Sequence, residues 1–112
     1  MKQDVFITRM AKYLPNSPVS NDEMEEYLGK VAGSRSRAKS SILRSNGIKK
    51  RYYAIDKNGK STHTNAEMTA EAVRGLENDN FSLNELEMLA CGTGSADQLV
   101  PGHSSMVHGL LG

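Results

Sequence analysis

The side chains most able to do chemistry in this 112-residue chain sit in its last quarter and in one basic stretch. Cys91 is the lone thiol, followed by Gly92 and Gly94; His103 and His108 lie five apart, and His63 stands alone. A reactive thiol needs a cationic setting that favours thiolate, and no Lys or Arg lies near Cys91 in sequence, so it reads as a small buried hydrophobe in a strand. Gly92, Gly94 and Asp97 resemble a dinucleotide fingerprint whose last glycine is replaced. That fingerprint requires a helix to begin at once, and Pro101 and Gly102 delay it, so a turn at a strand end is the simpler account. Five residues is a poor spacing for two ligands on one helical face, so the histidines read as surface or capping groups and no metal site is assigned. A single cysteine excludes an intramolecular disulfide and a cysteine-based zinc cluster.

Charge is distributed unevenly. The formal net charge is +1, yet Lys30, Arg35, Arg37, Lys39, Arg44, Lys49, Lys50 and Arg51 form a stretch with no acid between Glu26 and Asp56. Such a stretch could meet phosphate or an acidic partner, or be a solvated helix face. A small basic nucleic-acid-binding module is the alternative this raises, although no recognition-helix or stacking-sheet motif accompanies it. With 38% hydrophobic and 24% charged residues, and no long apolar run, the composition describes a soluble single domain over residues 1–112, cytoplasmic by default.

The elements that must position these residues follow from local signals. Val5, Phe6, Ile7 and Met10 give an apolar opening strand closed by Pro15 and Pro18. Ser20 and Glu23 form a capping box for a helix ending near Gly33. A basic helix is expected from Arg37 to Ser45, stopped at Asn46 and Gly47, then an extended stretch from Ile48 to Ile55. Asp56 to Gly59 is a turn. Thr64 and Glu67 cap a third helix whose apolar stripe is Met68, Ala72, Val73 and Leu76. Ser82 and Glu85 repeat the cap over a single turn. A buried strand around Met88 to Cys91 and a helix from Ser104 to Leu111 complete the chain. Met10, Met24, Met68, Met88 and Met106 are assigned to the core. The order strand-helix-helix-strand-helix-strand-helix points to an α/β layered fold, incomplete alone because three strands leave apolar edges, so a second copy is expected.

Three ordered segments carry a family resemblance: Phe6 to Pro15 with Ser20 to Met24, Ser45 to Ala54, and Leu86 to Gly112. Together they resemble the N-terminal part of β-ketoacyl-acyl-carrier-protein synthase III, a condensing enzyme of the thiolase fold, from Asp4 to Gly112. The resemblance implies a partial thiolase-like architecture and an acyltransferase of fatty acid or polyketide-like biosynthesis. It implies an acyl primer on coenzyme A or acyl carrier protein, a malonyl thioester, and a homodimer. The cysteine, histidine and asparagine of that family are expected beyond Gly112, so no catalytic residue is assigned within the chain, which by itself is expected to be inactive. Val100, with Leu99, matches the position that closes the partner subunit's acyl tunnel. Arg44 stands near the arginine that contacts the coenzyme A nucleotide, one residue further from Gly47 than usual, and the family's nearby tryptophan is absent. Those departures favour a carrier-protein-bound primer. No cofactor and no membrane partner is implied.

Overall fold

The computed structural model describes residues 3–112 and is a small mixed α/β structure. Its chain order is β1 (Val19–Ser20), α1 (Met24–Leu28), α2 (Lys39–Asn46), β2 (Lys50–Arg51), α3 (Asn65–Arg74), a 3-10 turn at Leu83–Glu85, and α4 (His103–Leu111). Two compact units divide it, one built from residues 14–63 and the other from the opening segment to Tyr13 with residues 64–112. Among the described residues no helix is long and apolar enough to cross a membrane.

In the unit of residues 14–63, β1 pairs antiparallel with β2, Val19 opposite Arg51 and Ser20 opposite Lys50. Around this short ladder, side chains reach across long sequence gaps. Asn16 donates to the carbonyl of Tyr53 and the hydroxyl of Thr62, both at 2.8 Å, and Asn21 accepts from Arg51 at 2.6 Å. The Ser20 and Glu23 pair does not open a helix at Ser20. Glu23 Oε2 accepts from both the amide and the hydroxyl of Ser20, at 3.0 and 2.6 Å, so the serine donates where a cap must accept. Helix α1 therefore begins at Met24, and Gly29 at φ 76° ends it ahead of the expected stop at Gly33. Gly47 closes α2 in the left-handed conformation, as Asn46 and Gly47 foretell. The Asp56 turn also forms, its carboxylate accepting the amides of Asn58 and Lys60 at 2.8 and 2.9 Å.

In the other unit, α3 packs on α4 through Ala66, Ala70 and Val107, with Leu89, Cys91, Met106 and Leu111 partly buried against them. Alanine at i and i+4 lets the helices approach closely, and Val107 fills the gap. Arg9 lies over the ring of Phe81, 5.2 Å from its centroid, and anchors the opening segment beside Gly75 and Ala11.

The three-strand expectation fails in two places. Residues 4–13 and 86–91 form no strand among the described residues, and the Ile48 to Ile55 strand shortens to Lys50–Arg51. Period and β-propensity can favour an extended backbone, but a strand needs a neighbour to take its N–H and C=O groups. Without one, Val5, Phe6, Ile7 and Met10 stay 92, 77, 84 and 87% exposed, and Met88 81%. Met10 and Met88 are thus surface residues rather than core. The described elements are accordingly two short strands, four α-helices and one 3-10 turn, joined by segments without regular structure.

Candidate functional site

Where α3 begins, the first three backbone donors all find side-chain acceptors. Asp97 takes the amides of Asn65 and Ala66 at 2.7 and 2.8 Å, and Thr64 takes that of Glu67 at 3.1 Å. Glu67 returns a bond to the Thr64 amide at 2.7 Å, completing the capping box read from sequence. Three amides and the positive end of the helix dipole are thereby matched by a carboxylate and a hydroxyl. The Asn65 and Ala66 amides, in that order, hold the Asp97 carboxyl below its ordinary value.

This contact fixes the glycine-bearing loop. Asn65 Nδ2 donates to Thr93 Oγ1 at 2.7 Å and to the carbonyl of Ser95, so residues 93–97 are bound to the start of α3 from both sides. The loop then runs through Leu99, Val100 and a cis peptide before Pro101 into α4, whose Gly102 N-cap contributes no side-chain cap.

At the start of α4 stands His103, only 8% exposed. This corrects its assignment to the surface. His103 belongs to the stripe that continues through Val107 and Leu111 at i+4 and i+8, a spacing visible in the sequence. Thr69 Oγ1 donates its one proton to the carbonyl of Asn65 at 2.9 Å, so His103 Nε2, 3.1 Å away, must be the donor to that oxygen. Its Nδ1 is then an acceptor, buried and without a partner among the described residues. One relay, Asn65 to Thr69 to His103, therefore joins the start of α3 to the start of α4.

Ser104 and the exposed Ser105 share the first turn of α4 with His103. Two hydroxyls at an uncapped helix N-terminus lie in the positive end of its dipole, which favours oxyanion character on a group held there. Neither serine carries a sequence signal of its own, since no motif in the chain marks a nucleophilic hydroxyl. Cys91 packs against the α3 and α4 core but is only half-buried and lies in no strand, which corrects its expected place in a buried strand.

The residues carried over from the family resemblance take no part in this relay. Leu99 and Val100 are 94 and 85% exposed in the loop before α4, in the same unit. Arg44 is exposed on the last turn of α2, within residues 14–63. His108 is exposed, and no group of three or more His, Cys, Asp or Glu that could hold a metal ion occurs among the described residues.

Comparison with protein-family models and with curated proteins finds no match to this chain.

Proposed function

We propose that residues 1–112 are the N-terminal part of a β-ketoacyl-acyl-carrier-protein synthase III-like acyltransferase, which condenses an acyl primer with a malonyl thioester by decarboxylation. The observation that carries this reading is the ordered resemblance of the three segments to that family, from Asp4 to Gly112. Residues 86–91, the loop of Gly92 and Gly94 and helix α4 follow one another in the order in which the family approaches its nucleophile. A helix N-terminus stabilises the anionic nucleophile and the oxyanion of the attacked thioester. In this reading Leu99 and Val100, exposed on one protomer, cover the acyl channel of a second copy, and Arg44 contacts the primer's carrier.

On the resemblance, the nucleophilic cysteine is expected beyond Gly112. The reading is tested on the whole natural chain containing these residues, supplied with an acyl thioester and malonyl thioester. Release of carbon dioxide with formation of a β-ketoacyl thioester is the expected result. Absence of both products with primers on coenzyme A and on carrier protein alike would refute it.

A further inference from the structure

Two Asn-Gly pairs occur in the chain, Asn46 with Gly47 and Asn58 with Gly59, both exposed and both within residues 14–63. An asparagine followed by glycine is open to attack on its side-chain amide by the next backbone nitrogen, because glycine has no Cβ to crowd the ring that closes. What each pair must first release separates the two. Asn46 is the last residue of α2, its Oδ1 accepts the Ile48 amide at 2.9 Å, and the Gly47 amide donates to the carbonyl of Leu43 at 3.2 Å. Attack there has to break both bonds and open the helix end.

Asn58 stands instead in the turn that Asp56 organises. Asp56 Oδ1 holds the amides of Asn58 and Lys60, and Gly59, at φ 77° with open space around its Cα, donates its amide to the carbonyl of Asp56 at 3.0 Å. The carboxamide of Asn58 makes no hydrogen bond among the described residues. Attack by the Gly59 nitrogen therefore opens one bond among the described residues, the one to Asp56.

We propose that Asn58 is a site of spontaneous conversion to aspartate and isoaspartate through a cyclic imide, with water as the co-reactant. The Gly59 nitrogen loses its proton and bonds to Cγ of Asn58; the bond from Cγ to the side-chain nitrogen breaks, and ammonia leaves carrying that proton. Water then opens the imide. Addition at Cγ with cleavage of the new bond gives aspartate, whereas addition at the backbone carbonyl carbon with cleavage of the original peptide bond gives isoaspartate. Nothing is oxidised or reduced. Ring closure removes the N–H that Gly59 donates to Asp56, and isoaspartate lengthens the backbone by one carbon and adds a carboxylate two positions from Asp56. The turn lies between the two groups that Asn16 holds, the Tyr53 carbonyl and the Thr62 hydroxyl, so a longer and more anionic turn works against that clamp. The inference does not rest on acyl transfer.

The test holds the folded full chain in mildly alkaline buffer, digests it at intervals and follows the peptides by mass spectrometry, with electron-transfer fragmentation to tell isoaspartate from aspartate. Asn58 should convert about fivefold faster than Asn46, the factor of one further hydrogen bond to open. In urea, where neither pair is held, the two rates should converge. The aged chain should melt at a lower temperature than the fresh one, while aged Asn58→Gln should keep its melting temperature, because glutamine closes a larger ring far more slowly. Conversion of Asn46 as fast as Asn58 in the folded chain, a ratio of rates unchanged by urea, or an equal loss of melting temperature in aged Asn58→Gln would overturn the inference.

Discussion

The carboxylate of Asp97 caps a helix to which it does not belong: its Oδ1 accepts the backbone amide of Asn65, 32 positions earlier, at 2.7 Å. Together with its bond to Ala66, this makes one side chain both the acceptor for the first turn of α3 and the tether of the loop leading to α4. Asp97→Ala should lower stability by about 1–2 kcal/mol, as loss of a capping side chain does. Thr64→Ala should cost a similar amount, and because both act on one helix start the double variant should depart from additivity. Urea unfolding of the four proteins checks this; strict additivity would mean that the two caps are independent.

Acid should release the same tether. A carboxyl whose folded pKa lies below its unfolded value of about 3.9 contributes stability fully present above that value. The contribution is lost as pH falls through the lower folded value, because protonation removes the charge that the Asn65 and Ala66 amides hold. The amide chemical shifts of Asn65 and Ala66, followed by NMR, should titrate with a midpoint below that of an ordinary aspartate. A midpoint at or above the ordinary value would contradict the assignment.

His103 offers a direct check on the relay. The proton count at Thr69 requires the Nε2–H tautomer, so nitrogen NMR should show Nδ1 as the unprotonated nitrogen of the neutral ring. Thr69→Val removes the acceptor and the donor to Asn65 together. It should cost about 1–3 kcal/mol through the unsatisfied buried imidazole, and a thermal melt unchanged from the parent would show the relay to be dispensable.

Glycine substitutions separate backbone strain from crowding. Gly47 sits at φ 67° with open space around its Cα, whereas Gly92 has open space and no positive φ. Gly47→Ala should therefore destabilise by about 1 kcal/mol through the left-handed penalty alone, and Gly92→Ala should be neutral or slightly stabilising. Equal effects in thermal melts would contradict this account of the α2 terminus.

How much of this was legible in the sequence depends on the range of the interaction. The Thr64 and Ser82 capping boxes, the Gly47 terminator and the Asp56 turn each involve residues within four positions, and each forms where the spacing places it. The strands expected at residues 4–13 and 86–91 do not form, because a ladder requires a partner and these segments have none among the described residues. Apolar character there belongs to exposed side chains rather than to a formed sheet. In the candidate site, Leu99 and Val100 are exposed in the loop before α4. The roles of Asp97, Thr69 and His103 arise from contacts across 31 to 34 positions, for which the linear pattern holds no signal beyond the i+4 stripe of His103 and Val107.

The central claim, acyl transfer by a covalent acyl-enzyme, is tested most directly by mass spectrometry of the whole natural chain after incubation with a primer thioester and no malonyl donor. The account predicts a single acyl adduct, mapped by proteolysis to a cysteine beyond Gly112. An adduct on Ser105 would contradict that placement and move the nucleophile to the first turn of α4, and no adduct from either coenzyme A or carrier-protein primers would contradict the account as a whole.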